Sequence, residues 1–177
     1  MLTNKENTLP LNNKIKVYVD GMKVDSVDVY AEVVDNPEDA DYILYFINTV
    51  FNGNQESGLN RLFDNFLSTL FPNGDLKFNE EIRTKIKNYS KNNNLIVVVD
   101  LNRPAILEEI KNITSGLIGT FGVMDKVIFE AIYGNFNPSG KLPFEIPSSM
   151  EEVKKQKEDL PDDTDNPTYQ YGYGISY

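Results

Sequence analysis

The chain has no cysteine and no histidine among its 177 residues. The first absence excludes a disulfide framework and a thiolate metal site. The second removes the Ser-His-Asp triad, imidazole zinc ligands and the usual general base. Acid–base chemistry on this chain therefore falls to carboxylates, tyrosine or lysine. Positive charge is also scarce: 17 Lys and Arg stand against 27 Asp and Glu, a formal net charge of −10. An acidic surface disfavours nucleic acid, whose phosphates need a basic face. No apolar run is long enough to span a bilayer, so no membrane partner is expected. The first residues, Met1 to Glu6, show no apolar signal-peptide core, and a cytoplasmic location is the expectation.

What is present is a strand–helix alternation. The length suits one domain with a real core, spanning residues 1–177. Lys14 to Val19 alternates toward a strand, and Tyr42 to Ile47 is a continuous apolar run, as in a strand covered on both faces. Leu95 to Val99 is the clearest buried strand, being β-branched and uninterrupted. Gly116 to Phe121 reads as a further short strand. Val27, Tyr30, Ala31 and Val34 stand at helical spacing and predict a helix over 24–34. Asn79 is placed to cap a helix whose stripe is Ile82, Ile86 and Tyr89. Asn102 is placed to cap the next, with Pro104 in its first turn and Ile106, Leu107 and Ile110 inward. Met124, Val127, Ile128, Ala131 and Ile132 form a last stripe, stopped by Gly134. This order predicts a three-layer α/β/α sandwich with a mainly parallel sheet. Residues 148–177 are expected to wrap the surface as a tail. Ligands of such sheets bind beyond the carboxyl ends of the strands, here Asn48 to Asn54, Asp100 to Arg103 and Phe121 to Asp125.

Two segments carry a resemblance. The run Asn137-Pro-Ser-Gly-Lys-Leu-Pro-Phe-Glu-Ile-Pro147 and the closing Tyr171-Gly-Tyr-Gly-Ile-Ser-Tyr177 resemble the closing signature of glycoside hydrolase family 3, the β-glucosidase type. Thr8 to Leu11, Val17 to Val19, Asn36 to Asp41, Asp100 to Ile110, Phe121 to Asp125 and Ser148 to Asp159 resemble further pieces of that family's second domain, in the same order. The resemblance implies a C-terminal domain of flavodoxin-like appearance from a retaining β-glycosidase acting on terminal β-D-glucosyl residues. It implies a barrel domain as partner, holding the nucleophile, and an oligosaccharide or glucoside substrate. No cofactor and no metal are expected. The chain alone is expected to be inactive.

The stretch from Thr49 to Phe78 matches least well, and there the resemblance implies the general acid/base glutamate. Glu56 is the only glutamate between Glu38 and Glu80 and is the candidate by position, against a plain solvated glutamate. Such an acid must stay protonated near neutral pH, which requires desolvation or a neighbouring negative charge. Asp75 is a candidate for orienting the loop, although a turn over Pro72 to Asp75 accounts for it equally. Asp100 and Arg103 read as sugar or interdomain ligands, or as a helix-end carboxylate with a local ion pair. Asp125 divides between the interdomain cleft and a helix first turn. Leu59, Leu62, Phe63, Phe66, Leu67 and Leu70 form an apolar stripe, to be covered by a barrel, by a second copy in a homodimer, or by the chain's own core. Tyr169, Tyr171, Tyr173 and Tyr177 either stack on sugars or pack the tail onto the domain. A nucleotide-binding module would need a glycine-rich first turn, where Asp20-Gly21-Met22-Lys23 has one glycine. A non-catalytic carbohydrate-binding or scaffold domain is the alternative reading.

Overall fold

A computed structural model describes the chain except residues 13, 24–26, 28, 49–74, 93, 158–159 and 161. Six strands form one sheet: β1 (Thr3–Asn4), β2 (Lys16–Asp20), β3 (Glu32–Val33), β4 (Tyr42–Ile47), β5 (Leu95–Asp100) and β6 (Gly116–Thr120). Their spatial order is β1-β6-β5-β4-β2-β3. All neighbours are parallel except the edge pair, where Thr3 lies antiparallel to Leu117. Helices α1 (Glu80–Tyr89), α2 (Glu108–Ile113), α3 (Asp125–Ile132) and α4 (Met150–Val153) complete the main elements, with a two-stranded sheet of β7 (Ile146–Pro147) and β8 (Pro167–Tyr169).

The two-residue pleat period divides the central strands between two cores. Ile43, Tyr45, Ile47, Leu95, Val97 and Val99 face one side, where Ile86 of α1 and Ile110 of α2 cover them. Leu44, Ile96, Val98 and Ile118 face the other, under Ile128, Phe129 and Ile132 of α3. Residues 95–99 of β5 are inaccessible on both faces, which is why this strand reads as an unbroken apolar run. Burying each such side chain contributes about 1.5–3 kcal/mol before the entropy of ordering is counted. Helices on both faces give the sandwich that the alternation predicts.

Three local expectations are corrected. Among the described residues of 24–34 there is no helix: 27 and 29–31 turn, and Glu32–Val33 is β3. Val27 and Ala31 are buried as the spacing implies, but the described residues form a turn, with Tyr30 N and Ala31 N both donating to Val27 O. Glu32 N then donates to Ile15 O and the strand pairs parallel to β2. A valine-rich stretch favours that extended state. Second, α2 starts at Glu108 and Asn102 does not cap it. The Asn102 amide and side chain bond Asp100 instead, and Ile106 N is drawn to Leu76 O. Third, Met124 precedes α3 and is 74% exposed, so it is not part of the inward stripe. By contrast, Asn79 caps α1 as expected, its Oδ1 accepting from Ile82 N at 2.9 Å. Gly134 ends α3 with φ +75°, and a Cβ there would press on Pro10 at 2.9 Å.

The two motif segments hold each other. Leu142 N donates to Tyr173 O, and Gly172 N to Leu142 O, both at 2.9 Å. Ser176 Oγ donates to Pro138 O, Tyr177 N to Asn137 Oδ1, and Lys141 Nζ to Gly174 O. Ile175 N reaches Met1 O at 2.9 Å, so the end of the chain also fastens its beginning. Buried carboxylates anchor the stretch between: Glu145 accepts from Thr164 N and from Gln156 Nε2. Lys155 bonds Glu152 at 2.6 Å and so holds its carboxyl below the ordinary carboxylate value. Tyr169 is buried and tilts against Tyr173, whereas Tyr171 and Tyr177 stay exposed.

Candidate functional site

The carboxyl ends of the strands gather Asp20, Asp100, Arg103 and Asp125. Asp100 closes β5, half-buried, and its carboxylate accepts from Asn102 Nδ2 at 2.8 Å and from Asn102 N at 3.2 Å. Arg103 follows, half-buried, in the loop that leads to α2. Asp125 opens α3, where a negative charge suits the helix N-terminus. Its Oδ2 accepts from Lys23 N at 3.0 Å, which ties the turn after β2 to α3. Asp75 is exposed in the segment leading into α1 and accepts from Lys77 N at 2.9 Å, a local turn. Glu56 and the Leu59 to Leu70 stripe lie outside the described residues.

Sequence reasoning missed a cluster at the end of β2. Tyr89 donates its hydroxyl to Asp20 Oδ2 at 2.8 Å, and Lys85 Nζ lies 3.0 Å from the same oxygen. The Lys85 ammonium also sits 5.4 Å from the centre of the Tyr45 ring. Tyr89 meets Tyr18 and Tyr45 edge-on. Burial, then the bond to Asp20, pushes the Tyr89 phenol far above its ordinary value. Burial also raises Tyr45, and the bond to Asp20 raises Lys85. At neutral pH Tyr45 and Tyr89 keep their protons and Lys85 its charge, so Tyr89 and Lys85 act as donors to the Asp20 carboxylate. Lys85 and Tyr89 stand four apart on one helix face, a readable signal; their joint aim at Asp20 is not local. Gly21 follows with φ +82°, and any side chain there would strike the Phe46 carbonyl.

Beside these polar groups the edge is apolar. Phe121, Val123 and Met124 project from the loop that leaves β6, at 42, 41 and 74% exposure. Phe121 and Val123 border a cavity of about 230 Å³, walled by Ile118, Leu142 and Tyr173. The two motif segments thus build one wall of it.

The class these features define is a three-layer α/β sandwich whose NPSGKLP turn is fastened by a C-terminal strap. The chain belongs to the glycosyl hydrolase family 3 C-terminal domain family, whose pattern matches residues 23–177. It is 32% identical over 185 aligned residues to a probable beta-glucosidase C of Aspergillus flavus, covering all of this chain and 27% of that protein. It is 30% identical over 181 residues to a periplasmic beta-glucosidase/beta-xylosidase of Dickeya chrysanthemi, covering 100% of this chain and 26% of that one. The chain therefore spans about a quarter of the length of these relatives. A beta-glucosidase from Listeria innocua solved with isofagomine has the same fold, with TM-score 0.73 and 16% identity over 99% of this chain and 32% of that one.

Proposed function

We propose that this chain is the closing domain of a retaining β-glucosidase-type hydrolase that acts on terminal β-D-glucosyl residues, with the nucleophile on a barrel domain. The observation that carries the reading is the alignment of the whole chain with only 27% of a β-glucosidase relative, which leaves room for a second domain. A retaining glycosidase needs two carboxyl groups about 5–5.5 Å apart across the scissile bond. Asp20, Asp100 and Asp125 at this edge are each engaged in bonds within the fold, which supports a nucleophile supplied from outside the chain. The exposed Phe121, Val123 and Met124 support a partner seated on the same edge, because contiguous apolar surface of this kind marks contact sites. Glu56 is the proposed acid/base, on its place in the sequence. Docking over a sugar-filled barrel would desolvate it and hold its proton.

The test is Glu56→Gln in the protein carrying both domains. Hydrolysis of glucosides with poor leaving groups should fall about a hundred- to ten-thousandfold, and of activated aryl glucosides far less. Equal losses for both substrates would remove Glu56 from the mechanism. The 177-residue chain by itself should leave nitrophenyl β-glucoside intact; turnover lost on one carboxylate change here would place the chemistry within it.

A further inference from the structure

At the opposite end of the sheet, where the strands begin, lies an open groove of about 830 Å³. That volume is within the range of small-molecule sites, roughly 300–1,000 Å³. The loop before β2, the start of β4 and the turns entering β5 and β6 form its walls. The lining is largely polar and nearly uncharged: Asn7, Asn94, Asn112 and Ser115 share it with Ile15, Ile113 and Tyr42, whose half-buried side chain packs against the core. The Asn94 and Asn112 amides each donate one bond, to Asp41 O and Glu108 O, and keep a second N–H and an oxygen. The two charges present, Lys5 and Glu6, are of opposite sign. The Lys5 ammonium is already engaged, 2.7 Å from the Asn112 carbonyl. A phosphate or carboxylate ligand would find little to pair with here. Amide groups both donate and accept, as do sugar hydroxyls, and an aromatic ring suits the C–H face of a pyranose.

The backbone gives a second, independent indication. Glu6 and Asn7 are consecutive non-glycine residues in the left-handed region, with φ +51° and +53°. Residues held there cost about 1–3 kcal/mol each, and they cluster at binding sites. Asn4 holds this turn in place from outside, its side chain donating to Leu9 O at 2.9 Å and accepting from Leu9 N at 2.8 Å. The result is a turn that carries Asn7 at the groove's border.

We propose that this groove binds a neutral oligosaccharide of a few hexose units, away from the edge where hydrolysis is placed. It depends on the lining chemistry and not on the catalytic reading. The 177-residue chain, labelled with ¹⁵N, is titrated with cellotetraose and laminaritetraose. Saturable amide shifts are expected at Asn7, Thr8, Asn94, Asn112 and Ser115, with millimolar affinity. Tyr42→Ala and Asn112→Glu should each weaken binding at least about tenfold. Asn112 is exposed, so its variant keeps the fold, verified by an unchanged melting temperature. Absence of saturable shifts, shifts confined to the carboxyl edge, or full affinity in Asn112→Glu would overturn the proposal. So would equal binding of a neutral Ser-Asn-Gly peptide at the same amides.

Discussion

At the carboxyl end of the strands Asp20, Asp100 and Asp125 are carboxylates held within the fold, whereas at the amino end neutral amides line an open groove, with the Asn94 and Asn112 side chains donating to Asp41 O and Glu108 O. The first end is charged, aromatic and rimmed by exposed apolar residues. The second is neutral and amide-rich. Charge at a strand end is costly to desert, because removing one partner leaves the other desolvated and unpaired. Asp20 and Asp125 therefore act as joints between elements, and the proposal above puts the reaction chemistry on Glu56 and a partner domain instead. A neutral amide that donates one such bond, as those of Asn94 and Asn112 do, still carries a second N–H and an acceptor oxygen with which to meet a ligand.

Both ends hang from one core, and the strongest perturbation should abolish the contrast. Phe129 is wholly buried beneath α3. Phe129→Ala should cost about 3–5 kcal/mol, read as a lowered urea midpoint with an unchanged slope. A loss below about 1 kcal/mol would mean that the core refills the space. The next effect sharpens the contrast. Asp20→Ala strands the Tyr89 hydroxyl and should cost about 1–2 kcal/mol, while Asn112→Ala at the other end should stay within about 0.5 kcal/mol. Comparable losses at both ends would show that the groove residues are also structural joints.

The smallest effect depends on pH. Lys85, raised above its ordinary 10.5 chiefly by its bond to Asp20, contributes stability that is complete below pH 10.5 and is lost as pH climbs through the raised value. The pair is partly exposed, so Lys85→Met should cost less than about 1 kcal/mol near neutrality. That difference should shrink as pH climbs through the raised value, followed by chemical denaturation. Persistence at high pH would assign the loss to the stem packing on Tyr45 and not to the charge.

Legibility in the sequence followed the range of the interaction. The bounds of β4 and the buried run of β5 were readable because burial on both faces leaves an unbroken apolar string. The Asn79 cap was readable because its bond spans three residues. The two-residue strand β1 was not, since its only partner is β6, far along the chain. The helix expected over 24–34 and the cap expected at Asn102 failed where a tertiary contact outbid a local preference. At the site, Asp100 and Asp125 were recognisable as residues following strands, and both stand at the carboxyl edge. Their partners were not recognisable: Lys23 is 102 positions from Asp125, and Asp20 is 69 from Tyr89.

The bond from Ile175 to Met1 sets an order of events during synthesis. Thr3 cannot take its place in the sheet until Leu117 has left the ribosome. At about 5–20 residues per second that wait is on the order of ten seconds. Met1 and Leu2 are buried in the finished fold, beside that strand. The strap arrives later still, since Ile175 is third from the end. Within this domain Met1, Leu2 and β1 are thus covered only after β6 and the strap have been made.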